Sequence, residues 1–303
     1  VVKGVSFDVA RGEAFAIVGE SGSGKSTTAL ALMGLLGKNA EVRGSVSLSG
    51  TELLTLSPLA RRKLLGDRIA LISQDALSSL NPSTTVGFQI AETLMVHKGM
   101  SRKAAYARTV ELLNEVGIPA ASERVEHYPH QFSGGMRQRA LIAMGLALEP
   151  DLLIADEPTT ALDATIKAQI LELFATLRKR HGMSVLLITH DMGAVARLAD
   201  RMLIMYAGRA AEIGDVEEVF TTPAHPYTKA LLSSIPSLRA PGARLEAIPG
   251  TPPMPDEKIS GCPFHPRCNS VMPICNRELP EQTALTDRHL TTCFISQGNL
   301  AHD

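Results

Sequence analysis

The sequence predicts an α/β protein. Three observations carry that prediction: short apolar runs that end in glycine or in acids, stretches of helix formers after them, and a glycine-rich loop between one such run and the next helix. Ala14–Val18 is apolar throughout and reads as a buried strand, and residues 27–36 are rich in helix formers. Between them, Gly19-Glu20-Ser21-Gly22-Ser23-Gly24-Lys25-Ser26-Thr27 fits G-x-x-x-x-G-K-[ST], with Gly19, Gly24, Lys25 and Ser26 in the fixed positions. The glycines let the backbone curl so that successive N–H groups face phosphate oxygens, and the helix N-terminus adds a positive dipole end. Lys25 reaches the β- and γ-phosphates and Ser26 offers a hydroxyl to Mg²⁺. Ser21, Gly22 and Thr27 complete a loop for a nucleoside triphosphate.

The other elements follow in order. Residues 5–9 and 14–18 read as strands joined by a turn at Arg11-Gly12, and the alternation at 45–49 suggests another. These form an antiparallel β edge subdomain. Residues 68–73 read as a strand ending just before Gln74. From about 86 to 148 the pattern turns helical, with breaks near 117–119 and 127–130. A strand then ends at Asp156. Helix 165–181, strand 184–189, helix 191–198 and strands 201–206 and 209–213 complete the core, the last two joined by Ala207-Gly208. Internal repeats and low-complexity runs are absent.

Asp156 and Glu157 close an apolar run, Leu152-Leu-Ile-Ala. Asp156 at the strand end suits water-mediated Mg²⁺ binding, and Glu157 is placed to polarise an attacking water as general base. A second anion-ready helix start lies at Gln131-Phe-Ser-Gly-Gly-Met136, where Ser133 reads as an N-cap and Gly134 and Gly135 admit a ligand close to the backbone. One nucleotide rarely needs two such sites on one chain, so the second is expected to serve a partner's nucleotide.

Phe132-Ser-Gly-Gly-Met136 resembles the LSGGQ signature of ATP-binding cassette (ABC) ATPases. Gln74 is similar to the family's Q-loop glutamine, Ala161-Leu162-Asp163 to its D-loop, and His190, at the end of a strand, to its switch histidine. With the phosphate loop and the Asp156-Glu157 pair, six family elements stand in order over residues 14–190. The chain departs from the pattern at Met136, where Gln is usual, and at Ser73 and Ala76, where Phe and Pro commonly flank the Q-loop. The resemblance implies a RecA-like P-loop core with an antiparallel edge and a helical signature subdomain. It further implies two ATPase domains sandwiching two ATP molecules head to tail. Glu157 then orients water, His190 contacts the γ-phosphate, and Gln74 senses Mg²⁺ and the attacking water.

His225-Pro-Tyr-Thr-Lys229 and Ser78-Ser-Leu-Asn-Pro82 resemble segments of the oligopeptide and dipeptide importers, although the first, taken alone, reads as a plain helix entry with Pro226 at N1. This implies an ATPase for peptide import, at residues 1–222, followed by an importer-type tail at 223–303. The expected partners are a second, homologous ATPase subunit on a different chain, two transmembrane permease subunits and, indirectly, an extracytoplasmic binding protein. The expected location is peripheral, on the cytoplasmic face of the cell membrane. Nickel, glutathione or another small solute is the alternative cargo. A soluble ABC ATPase on nucleic acid or ribosomes is disfavoured by a net charge of −1 and by the lack of a long heptad insert.

The 303 residues suffice for about two domains. The longest apolar run, 140–148, is far below the ~18 residues of a membrane span. Most of the 18 prolines fall between Pro223 and Pro280, and all four cysteines lie in the tail: Cys262, Cys268, Cys275 and Cys293. Clustered thiols in a reducing compartment point to metal rather than disulfides. A Cys₄ set suits a [4Fe–4S] cluster, which the importer family includes, with Zn²⁺ the alternative although paired C-x₂-C knuckles are lacking. ABC ATPases usually stack adenine on an aromatic residue upstream of the phosphate loop. Phe7 and Phe15 read as core, so that platform is expected before Val1.

Overall fold

The computed structural model describes residues 1–303 except Lys38, Asp75, Ala161, 236–247, Pro255, Asp256 and 301–303; for Ala76, Leu77, Asn299 and Leu300 it describes the backbone alone. Among the described residues ten strands run in chain order: β1 Ala14–Val18, β2 Ser47–Leu48, β3 Thr51–Glu52, β4 Ile69–Ile72, β5 Leu152–Asp156, β6 Ser184–Thr189, β7 Arg201–Tyr206, β8 Arg209–Asp215, β9 Thr283–Ala284 and β10 Leu290–Thr291. The chain forms two compact units. The first holds residues 1–9, 14–28 and 188–303, and the second holds 10–13 and 29–187.

In the first unit the strand order is β1-β7-β8-β10-β9. β1 and β7 are parallel, with Val18 opposite Ile204; β7, β8, β10 and β9 pair antiparallel. Every residue of β1 and β7 is buried, which is why both read as unbroken apolar runs. Arg201 is the exception in type. Its guanidinium pairs with Asp8 at 3.2 Å and lies over the Phe15 ring.

The tail is tied into this unit by buried polar groups. Glu212 on β8 accepts hydrogen bonds from Ala224 N (2.8 Å) and His225 N (2.9 Å), and pairs with His289 Nε2 at 2.7 Å. Burial raises the Glu212 pKa, but the His289 and backbone bonds outweigh it and hold the carboxyl below its ordinary value. The same bond, with Glu218 at 3.3 Å on the other ring nitrogen, raises that of His289. His225 is buried without a carboxylate bond of that kind; burial lowers it to about 4, against the opposing charge of Glu212 and a backbone bond with Thr292. Its Nδ1 accepts from Tyr227 N at 3.0 Å and caps the helix Pro226–Ser233.

In the second unit the order is β4-β5-β6, with β4 and β5 parallel and Ile72 opposite Ala155. β6 runs from this unit into the first. The helices Val86–Lys98, Arg102–Glu115, Ala121–Arg124 and Gly134–Leu146 pack on one another, as the helical pattern over 86–148 predicts. Thr85, Ser101 and Ser133 cap three of them, and Gly99 ends the first in the left-handed conformation.

Two strand expectations are corrected. Residues 5–9 form no strand: Val5, Phe7 and Val9 alternate with exposed Ser6 and Asp8, but no ladder forms, so the period of two reports one-sided burial alone. Phe7 stacks on Phe15 with centroids 5.1 Å apart. The expected strand 45–49 shortens to β2, which pairs with β3 through Ser49 (φ +49°) and Gly50 (φ +82°). Two positive φ values make a tight primed turn, and Glu52 binds Val46 N and Leu54 N, fixing the hairpin ends.

Candidate nucleotide site

The phosphate loop leaves the carboxyl end of β1 and enters the helix Lys25–Met33. Its curl needs glycine at three places. Gly22 (φ +80°) and Gly24 (φ +102°) occupy the left-handed region, and a Cβ on Gly19 would meet Met205 O at 2.3 Å. Gly208, in the β7–β8 turn, donates its N–H to Ser23 O at 2.9 Å and so braces the loop from its own unit. Lys25 is buried, and its ammonium donates to Gly19 O at 2.8 Å and Glu20 O at 3.0 Å. Ser23 is 4% exposed and its hydroxyl has no hydrogen-bond partner. A buried unpaired hydroxyl costs ~1–3 kcal/mol, so the loop keeps a polar group in reserve for a ligand oxygen. Ser21, Gly22 and Ser26 are exposed. These donors fit a phosphate.

His190 belongs to the same unit and follows the last residue of β6, exposed. The next residue, Asp191, caps the helix Met192–Leu198 by accepting from Gly193 N (2.9 Å) and Ala194 N (3.2 Å), which ends the strand sharply at the histidine.

In the second unit the β4–β5 register brings Gln74 and the Asp156-Glu157 pair to one carboxyl edge, the edge at which open α/β sheets bind ligands. Glu157 has φ +48°, a conformation that costs a non-glycine residue roughly 1–2 kcal/mol. It is held there by Thr160, whose N–H reaches Glu157 O at 3.1 Å and whose hydroxyl reaches Oε2 at 2.7 Å. Strain of this kind concentrates at functional residues.

Ser133 caps the helix Gly134–Leu146, its hydroxyl accepting from Met136 N at 3.3 Å. Ser133 and Gly134 are exposed, and the Ser133 hydroxyl keeps its own proton to donate. A Cβ on Gly135 would meet Ile166 Cγ2 at 2.8 Å, so glycine is needed for packing there. Met136 places its sulfur 3.1 Å from Arg124 Nη1. Ala161 lies outside the described residues; Asp163 caps the helix Ala164–His181.

The four thiols share one region of the first unit. Cys262 N donates to Cys275 O at 2.8 Å, and Met272 N approaches Cys275 Sγ at 3.4 Å. Burial pushes the Cys262 thiol up to about 11, and the charges of Cys275, Cys293 and Cys268 add to the shift. Among the described residues, no three His, Cys, Asp or Glu side chains stand close enough together to hold a metal ion.

Two functional contacts escape sequence reasoning. Tyr227, beyond the helix entry that His225-Pro226 makes, accepts the N–H of Glu20 in the phosphate loop at 3.0 Å. Arg267 pairs with the Glu20 carboxylate. The His-Pro-Tyr segment was the available signal for the first; the second has none in the sequence.

A glycine-rich phosphate loop, a strand-end Asp-Glu pair, a signature helix and a strand-end histidine define an ABC transporter ATPase, and residues 2–160 match the ABC transporter family. Residues 211–275 match the oligopeptide/dipeptide transporter C-terminal region. The chain is 51% identical over 303 residues to the dipeptide transport ATP-binding protein DppD of Bacillus subtilis, covering 99% of this chain and 90% of that protein. It is 47% identical over 293 residues to the oligopeptide transport ATP-binding protein OppD of Salmonella typhimurium, covering 97% and 87%. The fold is similar to the dimeric ATP-binding cassette MJ0796 in a post-hydrolysis state bound to ADP and Pi, with TM-score 0.64, 28% identity and coverage of 71% of this chain and 90% of that one. The chain belongs to the ATP-binding subunits of dipeptide and oligopeptide ABC transporters. No helix among the described residues is long and apolar enough to cross a membrane.

Proposed function

We propose that this chain hydrolyses ATP to drive import of di- and oligopeptides through separate membrane subunits. The observation that carries the reading is an importer-type C-terminal region on the same chain as a complete ATPase motif set. Gly19, Ser21, Gly22, Gly24, Lys25, Ser26 and Thr27 hold the triphosphate. Ser26, Gln74 and Asp156 hold Mg²⁺, which when bound neutralises charge on the β- and γ-phosphates. Glu157 takes the proton of the attacking water, and His190 steadies the γ-phosphate end. Ser133, Gly134 and Gly135 act on the nucleotide of a second, homologous ATPase subunit. Two permease subunits complete the complex at the cytoplasmic face of the membrane, and an extracytoplasmic protein delivers the peptide. In the assembled transporter, Glu157→Gln should retain ATP binding and lose about 10²–10⁴-fold in turnover, the scale of a general base. Turnover at the parent rate removes the assignment.

We also propose that residues 223–303 form a tail in which Cys262, Cys268, Cys275 and Cys293 bind one [4Fe–4S] cluster with a structural role. Four soft donors gathered in one region of the first unit support it; as they stand no three converge on one ion, so cluster binding would have to draw them together. Anaerobically purified protein should be brown and carry iron and sulfide; about one zinc without iron selects the tetrahedral alternative, and no metal leaves four thiols.

A further inference from the structure

Glu20 places a carboxylate inside a loop built to receive a highly anionic triphosphate. By charge alone that is unfavourable. The carboxylate is met by Arg267, which arrives from the tail. Nη1 donates to Oε2 at 2.7 Å and Nη2 to Oε1 at 3.1 Å, a bidentate pair. The Arg267 side chain is 5% exposed and that of Glu20 is 24% exposed. Its other donors are also used: Nε on Pro249 O at 2.7 Å, Nη1 on Tyr206 Oη at 3.2 Å and Nη2 on Gly250 O at 3.5 Å. The Glu20 backbone is equally committed. Its N–H goes to Tyr227 Oη at 3.0 Å, and its carbonyl accepts from Ser23 N at 3.2 Å and Lys25 Nζ at 3.0 Å. Tyr206, Tyr227 and Phe264 pack their rings 4.7–5.3 Å apart, and the Arg267 guanidinium lies over the Tyr206 ring at 5.8 Å. Arg267 itself sits in a single turn, His265–Arg267, between Cys262 and Cys268.

We propose that Arg267 is a positioning residue for the ATP site: the tail neutralises the phosphate loop's own carboxylate and, with Tyr227, fixes the curl that points the loop amides at phosphate. Nucleotide binding and docking of the cysteine-bearing segment are therefore linked, each favouring the other to the same degree. The proposal rests on the reading of residues 19–27 as the triphosphate site.

The test measures affinity of the full chain for Mg-ATP, or a non-hydrolysed analogue, by titration. Arg267→Met leaves Glu20 uncompensated and should weaken binding about tenfold, less at high salt, where repulsion is screened. Arg267→Lys should stay within about threefold of the parent, because the charge is kept although the fork is lost. Adding Glu20→Gln to Arg267→Met should recover most of the loss, since removing both members of a buried pair costs far less than removing one. A merely structural arginine shows neither that rescue nor the salt dependence. Should Arg267→Met fail to fold, the double variant and Tyr227→Phe carry the test. The double variant should bind near parent affinity, and Tyr227→Phe should lose about threefold, one hydrogen bond's worth. In parallel, ATP should slow hydrogen exchange of amides 262–277 in the parent and not in Arg267→Met. Parent-like affinity of Arg267→Met, a deficit that Glu20→Gln leaves unchanged, or amides 262–277 indifferent to ATP overturns the proposal. A parent that binds no ATP at all refutes the triphosphate site instead.

Discussion

Two helix N-termini in this chain are prepared for phosphate, and they are built differently. The one that begins at Lys25 follows a loop whose Ser23 and Lys25 are buried, whose Glu20 is held at both backbone and carboxylate, and whose Gly19 has no room for a side chain. The one that begins at Gly134 is exposed at Ser133 and Gly134, and its hydroxyl is engaged only with its own Met136 N–H. The first site is finished by its own chain. The second is capped but left open, in keeping with the proposal that another subunit's nucleotide completes it.

The comparison breaks most readily at Lys25. Lys25→Ala should abolish measurable ATP binding by the isolated chain, a loss of at least about 100-fold for a charge-assisted contact to the phosphates. Ser133→Arg should leave that affinity within about twofold, while blocking the closed ATPase dimer, read by size-exclusion chromatography of the Glu157→Gln background with ATP. Equal losses of affinity in both variants would mean that the two helix starts serve one nucleotide.

The smallest effect concerns acid. His225 titrates near 4 in the folded chain, well below its ordinary value of about 6.5. Between those values the unfolded chain binds the proton first, so stability falls as pH drops through this window, by about 1–3 kcal/mol at its end. His289 is raised and works the other way: its contribution is full below about 6.5 and is lost as pH rises through its folded value. Glu212, lowered, contributes until pH falls through its own folded value. His225→Asn keeps a capping side chain and removes the titration. Its thermal midpoint should fall less steeply than the parent's from pH 6.5 to 4, and an unchanged slope would locate the acid sensitivity elsewhere.

The elements that were legible in the sequence are those fixed by local rules. The strand–loop–helix around the phosphate loop, the capped helix at Ser133 and the buried runs of β5, β6 and β7 follow from periodicity, caps and glycine, and the structure reproduces them within about three residues, the first helix ending at Met33 rather than at 36. The family and its importer branch were equally legible from motif order. The segment 5–9 misled because alternation reports burial on one face and says nothing of a ladder partner. The Glu20–Arg267 and Glu212–His289 pairs span 247 and 77 positions, and no local pattern marks either one. The left-handed Glu157 was likewise hidden, since nothing in Ala-Asp-Glu-Pro forecasts a positive φ.

The placement of β10 bears on how this chain behaves when damaged. Leu290 and Thr291 pair with Ile213 and Glu212, and Thr292 N reaches Ala211 O at 2.9 Å, so the middle of the seven-residue β8 is covered; the outermost strand, β9, is only two residues long. A long open strand recruits other chains, whereas a two-residue one offers almost no template. Loss of the chain from Thr283 onward would bare the backbone of β8 and leave an edge open to pairing with other strands.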